Sequence, residues 1–208
     1  MGRTSIWMAI ALVPLAMPAL AENTWHFDGA HSGAQFKIKH MMVSNVNGTI
    51  RGVNGSAQYD GKNVKALQVD ATLDATTIAT GEPNRDKHLR SDAFFDVEKY
   101  PTITFKSKKV VAAEHGKYKL VGDLTMHGVT KEVALDMDKP SDVFKDAKGN
   151  EHIGTEAHTT VNRTDYGISW NKTLDQGGVM VGDPVDITLD VELVKDKETA
   201  SKDGKNSG

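Results

Sequence analysis

The sequence predicts an all-β fold, a closed antiparallel β-barrel with a short helical connection around residues 84–95. Apolar and polar side chains alternate strictly in several segments, which indicates strands with one buried face. Pairs ending in glycine, such as Asp60-Gly61 and His127-Gly128, lie between these segments and favour hairpin turns. Several strands would exceed the usual length of about five or six residues, and long one-sided strands suit a barrel. A β-sandwich has the same periodicity and stays open as an alternative.

The first 21 residues have the pattern of a secretory signal peptide. Arg3 supplies the positive start, residues 6–15 form an apolar run, and Ala19-Leu20-Ala21 is a small-residue cleavage site. Two prolines interrupt the run, which is shorter than the roughly 20 residues of a spanning helix. We therefore expect cleavage after Ala21, a periplasmic protein and no transmembrane segment in the mature chain.

The alternation predicts strands through most of the remaining chain, which forms one domain over residues 22–194. These strands are residues 24–28, 34–40, 49–59, 67–74, 102–111, 118–126, 132–138, 152–163 and 185–193. The last is the clearest, because five apolar residues from Val185 to Leu193 alternate with four polar ones. The chain contains no cysteine, so stability has to come from strand pairing and packing rather than from disulfides.

Two segments lack this alternation. Residues 82–95 carry Asn84 as a helix N-cap and Ser91-Asp92 as a second cap, which predicts one or two short helical turns in a long connection. Residues 195–208 are almost wholly hydrophilic, and we expect a disordered tail there.

The residues that resemble catalytic or metal sites are each explained better by a structural role than by chemistry. Asp28, His31 and Ser32 look superficially like a hydrolase triad, but triad members normally come from distant parts of the chain, so a polar turn is favoured. His152 and His158 flank Glu156 on one strand face without a recognised zinc spacing, and a solvated face is the simpler interpretation. No catalytic residue, metal site or cofactor is predicted. The net charge of −3, with no basic stripe, also argues against a nucleic-acid partner.

Residues 85–101, RDKHLRSDAFFDVEKYP, closely resemble the YceI family. Further stretches agree in order, at residues 28–32 with 36–40, 124–131, 162–167 and 181–183. The resemblance implies an extended lipocalin-like antiparallel β-barrel, usually periplasmic, whose elongated apolar cavity accommodates a polyisoprenoid tail. It also makes a homodimer plausible. Pro184, where an acidic residue is common, and the hydrophilic tail depart from the family pattern.

The resemblance and the alternation together give a set of candidate ligand-binding residues. The wall candidates are Phe36, Ile38, Leu67, Val69, Leu73, Ile103, Phe105, Leu120, Leu124, Val133, Leu135, Ile187 and Leu189. Each of them could equally fill a packed core, because interior side chains can occupy the lumen of a small barrel completely.

Polar candidates are expected where the head group of a lipid would lie. His40 is on an apolar strand face, either as a core histidine or as a contact for the head group, and Arg85, His88 and Arg163 could donate to it. Arg85 and Arg163 could instead pair with Asp86 and Asp165 and fix the long connection to the barrel. The predicted function is binding, transport or storage of a long-chain polyisoprenoid or isoprenoid quinone. An enzyme acting on such lipids and a stress-response protein stay open.

Overall fold

The computed structural model describes residues 23–175 and 177–197. The predicted signal peptide and residues 198–208 of the predicted tail lie outside these ranges. The described residues form eleven strands and one α-helix, and within them no helix is long and apolar enough to cross a membrane. The elements are β1 Thr24–Phe27, β2 Gly33–His40, β3 Ser44–Ile50, β4 Asn54–Gln58, β5 Gln68–Asp74, α1 Pro83–Arg90, β6 Thr102–Ala112, β7 Tyr118–Met126, β8 Val129–Met137, β9 Phe144–Lys145, β10 Glu151–Asn162 and β11 Val181–Lys195.

The strands close into an eight-stranded antiparallel barrel, which confirms the predicted fold class and excludes the sandwich. β11 pairs with β10 along one side and with both β1 and β2 along the other. β1 and β2 lie end to end along β11 and together form one strand of the barrel. β3 and β4 form the next strand in the same way, since β3 pairs with β2 and β4 pairs with β1. The ring then runs through β5, β6, β7 and β8 back to β10, so every apolar strand face points to one interior.

Residues 49–59 are not the single strand that the alternation predicts. The chain is already extended from Ser44, and it is interrupted between the end of β3 at Ile50 and the start of β4 at Asn54. Gly52 lies at this break with a φ of 71°, and a Cβ added to it would lie 2.9 Å from the Cβ of Asp74. Glycine is therefore required here on two grounds, the left-handed backbone and the close approach of the neighbouring strand.

The helical connection is confirmed, but its start differs from the prediction. The N-cap of α1 is Glu82, whose carboxylate accepts from the amides of Asn84 at 3.2 Å and Arg85 at 2.6 Å. Pro83 occupies the first helical turn, where its fixed φ is favourable and no amide is needed, and this moves the cap to the residue before it. Ser91 ends the helix, and residues 93–95 form hydrogen-bonded turns rather than a second helix.

The last strand begins four residues before the predicted one and extends two residues beyond it. Lys195 belongs to β11, and its ammonium lies 3.2 Å from the carboxylate of Glu151 on β10. The next residue, Asp196, donates its amide to the carbonyl of Thr24 at 2.9 Å. The hydrophilic tail therefore begins later than residue 195, since the first tail residues still pair with the barrel.

The barrel interior contains two apolar clusters, one toward each end. The lower cluster is tightly packed around Trp25, whose indole donates to the carbonyl of Tyr59 at 2.8 Å. The upper cluster includes residues of the helical connection such as Phe94, and of the loop after β10 such as Ile168. The lower end is therefore closed by core packing, and the upper end lies beneath the two long connections.

Candidate functional site

A cavity of about 460 Å³ occupies the upper part of the barrel. Its size falls within the range of roughly 300 to 1,000 Å³ that is typical of ligand pockets. Most of the predicted site residues line it. They are Phe36, Ile38, His40, Leu73, Arg85, His88, Ile103, Phe105, Leu124, Leu135, Arg163, Ile187 and Leu189.

Four predicted wall residues do not line this cavity. Leu67 and Leu120 are buried members of the lower cluster, and Val69 packs against it. Val133 packs against both clusters without lining the cavity. For these four the core-packing alternative holds, because they lie where neighbouring side chains already fill the lumen.

The cavity also has lining residues that were not among the candidates. Ala34, Val161 and Val185 continue the same apolar strand faces, so the alternation could have indicated them. Trp170 and Met180 belong to the irregular segment between β10 and β11, where no periodicity exists to place them. The remaining ones are Lys39, Val46, Ile50, Asn84, Leu89, Phe94, Phe95, Met126, Thr159, Ile168 and Val181.

The cavity wall at β2 depends on a glycine opposite an aromatic ring. Phe36 on β2 pairs with Gly48 on β3, and a Cβ added to Gly48 would lie 2.3 Å from the phenyl ring. Any side chain at this position would displace the ring. Gly48 therefore leaves the space against the wall that the Phe36 ring occupies.

Three rings connect the helical connection to the loop after β10. The imidazole of His88 makes edge contacts with Phe94 and with Trp170, each at a centroid distance of 4.9 Å. The rings of Phe94 and Trp170 are 5.2 Å apart. All three residues line the cavity, so they form an aromatic roof over its upper end.

Arg85 is fixed beside this roof through Thr80 rather than through Asp86. Its Nε donates to the Thr80 hydroxyl oxygen at 2.7 Å, and Asp86 accepts from the Thr80 amide at 2.8 Å. The hydrogen bond from the Thr80 hydroxyl is the main reason that the pKa of Asp86 is lowered. The predicted direct pair of Arg85 with Asp86 is therefore wrong. Within the described residues, Nη1 of Arg85 forms no hydrogen bond, and Arg85 is one of the residues that line the cavity.

Arg163 is a structural residue, although it lines the cavity. Its side chain is only 4 % exposed, and it donates to the carbonyls of Gly182 at 2.8 Å, Ile168 at 2.7 Å and Trp170 at 2.9 Å. Its charge is paired with Asp183 at 3.0 Å, so the predicted pairing with Asp165 is wrong. Because these bonds engage most of its donors, Arg163 holds the loop between β10 and β11 against the barrel.

The suspected triad near the N terminus is a turn, as the sequence favoured. Asp28 accepts from the amide of Ala30 at 2.8 Å and bonds to His31 Nδ1 at 2.9 Å. The hydroxyl of Ser32 is directed away from His31, since it donates to the carbonyl of Glu192 at 3.1 Å and accepts from its amide at 2.9 Å. With the serine engaged by the strand, this group has no activated nucleophile.

His31 and His152 are expected to titrate above the ordinary histidine pKa of about 6.5. The pKa of His31 is raised chiefly by its hydrogen bond to Asp28, and that of His152 chiefly by its bond to Glu192. A raised pKa in the folded state stabilises the fold below the unfolded value, and this contribution is lost as the pH rises through the raised values. NMR titration of the imidazoles, with thermal unfolding from acid to neutral pH, measures both effects. Asp28→Asn should return the His31 midpoint toward the ordinary value, and an unchanged midpoint would contradict the assignment.

Known proteins are similar to this chain in sequence and in architecture. Residues 25–193 match the YceI-like domain. A UPF0312 protein of Staphylococcus aureus (strain N315) is 36% identical over 167 residues, covering 80% of this chain and 95% of that protein. The crystal structure of a Campylobacter jejuni YCEI protein has a TM-score of 0.64 at 30% identity, covering 77% of this chain and 91% of the other.

A more distant structure shares the fold. It is described as a polyisoprenoid binding domain from Saccharophagus degradans, with a TM-score of 0.61 at 13% identity and coverage of 83% of this chain and 98% of that one. The family match spans most of the chain, from β1 to β11, and includes the strands and the connection that build the cavity. The chain therefore belongs to the YceI family.

Proposed function

We propose that this protein binds a long-chain isoprenoid lipid in the barrel cavity and carries or stores it without chemical change. The observation that carries the proposal is the cavity itself, an apolar lumen that continues the strand faces and lies above a packed core. Each Å² of apolar lipid surface removed from water contributes about 25 cal/mol, so a chain of several isoprene units is held strongly even after ordering costs. The name of the Saccharophagus domain supports the same class of ligand.

The polar residues of the lining support binding rather than turnover. They are Lys39, His40, Asn84, Arg85, His88, Thr159 and Arg163. The described lining contains no carboxylate and no paired nucleophile and base, which hydrolysis or group transfer would require. The same set is rich in cations and donors. We infer from it that the lipid head is an anion such as a phosphate or pyrophosphate, and an isoprenoid quinone is the second candidate.

Extraction of the purified protein with organic solvent, followed by mass spectrometry, tests the ligand class directly. We expect an apolar compound with isoprenoid mass increments, and equilibrium binding of added polyprenyl phosphate to emptied protein. Arg85→Gln should weaken polyprenyl phosphate by about tenfold, because a hydrogen bond to a charged group is lost, while leaving a polyprenyl alcohol nearly unaffected. Arg90→Gln is the matched control on the same helix, since Arg90 donates to the carbonyl of Ile78 and does not line the cavity. Absence of any bound or added isoprenoid would reject the proposal.

We also propose that the protein acts in the periplasm after removal of its signal peptide. The support is the charged start, the apolar run and the Ala19-Leu20-Ala21 site. Intact-mass measurement of the protein recovered from a periplasmic fraction should show a chain that begins at Glu22. A chain that retains residues 1–21, or one found only in the cytosolic fraction, would contradict this location.

A further inference from the structure

The turn between β2 and β3 exposes three consecutive apolar residues. Met41, Met42 and Val43 are 42 %, 61 % and 81 % exposed. Val179, from the loop that precedes β11, is also exposed. Single exposed apolar residues are ordinary, but a contiguous group on one tip marks a surface that contacts something apolar.

The two loops meet at the rim of the cavity. The amide of Met41 donates to the carbonyl of Met180 at 2.8 Å, and a Cβ added to Gly178 would lie 3.7 Å from Met42 Cγ. His40 and Met180, which adjoin the exposed residues in sequence, line the cavity. Met41, Met42, Val43 and Val179 are called the apolar tip below. The apolar tip therefore continues the apolar lining outward from the upper end of the barrel.

The backbone of the apolar tip is unfavourable for the residues it carries. Met41 and Met42 have φ values of 50° and 63°, a conformation that favours Asn and Gly in hairpin turns. Left-handed backbone costs an ordinary L-residue about 1–2 kcal/mol. Neither turn geometry nor core packing accounts for two methionines at this place. We therefore infer that these side chains have a role other than stabilising the fold.

The charges around the apolar tip suit an anionic surface. Lys39 and Lys172 are exposed, and within the described residues neither forms an ion pair. Lys39 precedes the tip on β2 and also lines the cavity. Lys172 is beside it, because its carbonyl accepts from the amide of Met180 at 2.9 Å. Apolar side chains flanked by lysines are the pattern of surfaces that insert into the headgroup region of anionic membranes, and Asp175 in the same loop only partly offsets the charge.

We propose that the apolar tip contacts a bilayer carrying anionic headgroups, and that the lipid passes between bilayer and cavity at this contact. This inference rests on the proposed function, since an isoprenoid chain in transit needs a path that avoids water. At the contact, the methionines lie among the lipid tails while Lys39 and Lys172 face the phosphates. The cavity then opens directly toward the membrane interior.

Flotation with lipid vesicles tests the proposal. The purified protein, with its processed N terminus verified by mass, is mixed with vesicles of phosphatidylglycerol and phosphatidylethanolamine. We expect it to float with these vesicles and much less with vesicles of phosphatidylcholine alone. The double variant Met41→Asn with Met42→Gly should bind at least tenfold more weakly, and Lys39→Gln with Lys172→Gln at least about fivefold more weakly. The Met41→Asn with Met42→Gly variant should unfold at the same temperature as the parent protein or at a higher one, since Asn and Gly favour the left-handed backbone of this turn.

A control and a second measurement separate this proposal from the proposed function. Phe144→Ser removes an equally exposed apolar side chain near the packed end of the barrel and should float like the parent protein. Flotation that is unaffected by the tip variant overturns the membrane contact. The binding of polyprenyl phosphate in detergent should be the same in the tip variant. If the parent protein binds no isoprenoid there but its flotation still depends on the tip, the proposed function fails and the membrane contact stands.

Discussion

Tryptophan in place of Ile38 is expected to weaken isoprenoid binding by about 50- to 100-fold. Ile38 lies on β2 with its side chain at the cavity, where its cross-strand neighbours are Val46 and Val185. An indole there occupies space that the lipid chain needs. If it displaces roughly 100 Å² of lipid contact, at about 25 cal/mol per Å², affinity falls by the stated factor. Equilibrium binding of radiolabelled polyprenyl phosphate in detergent measures the change.

The matched control is Lys37, the residue immediately before Ile38 on the same strand. Lys37 points outward, forms an exposed ion pair with Asp186, and does not line the cavity. Lys37→Trp should therefore bind lipid like the parent protein, because successive strand residues face opposite sides. If both variants bind equally well, the ligand does not occupy this lumen.

Arg163→Met is expected to lower the free energy of unfolding by about 3–5 kcal/mol, since each buried acceptor left without a partner costs roughly 1–3 kcal/mol. The substitution keeps most of the buried volume but removes the donors that reach Gly182, Ile168 and Trp170. Three carbonyls then lose their hydrogen-bond donors, and a buried acceptor without a donor destabilises the folded state. Chemical denaturation at constant pH, followed by circular dichroism, gives the difference directly.

Asp183→Asn distinguishes the carbonyl bonds from the ion pair at Arg163. Asp183 is about half exposed, so solvent screens its pairing and the expected loss is at most about 1 kcal/mol. An effect as large as that of Arg163→Met would mean that the charge pair, not the loop carbonyls, explains the burial of the guanidinium.

The barrel was predictable from sequence because closure gives all its strands one interior. β7 begins and ends at the predicted residues, Tyr118 and Met126, since the period-two pattern of its apolar residues and the glycine turn after it agree. The start of β3 at Ser44 was missed because Ser44-Asn45-Val46-Asn47-Gly48 is polar and alternates weakly. Cross-strand hydrogen bonds with β2 hold this stretch extended, which its own composition does not reveal.

The candidate site was predictable only in part, because periodicity shows which side chains point inward but not where the lumen is empty. Leu120 and Leu124 lie on the same face of β7, yet the first packs in the lower core and the second lines the cavity. The hydrogen-bond partners of Arg163 could not be predicted either, since every residue has a backbone carbonyl and the sequence does not show which carbonyls accept from the guanidinium. Trp170 and Met180 lie in irregular chain that only the folded loop brings to the cavity.

The boundary between the packed end and the hollow end of the barrel limits the depth of the cavity. Phe105 and Leu135 belong to the lower cluster and also line the cavity, so they form its floor. The ring of Phe105 is held in place beside Gly122, where an added Cβ would lie 2.6 Å from it. For the proposed isoprenoid ligand, we expect the depth of this floor to set how many isoprene units fit below the aromatic roof. Larger or smaller side chains at this level of the barrel are therefore expected to change the length of lipid that fits, without altering the strands.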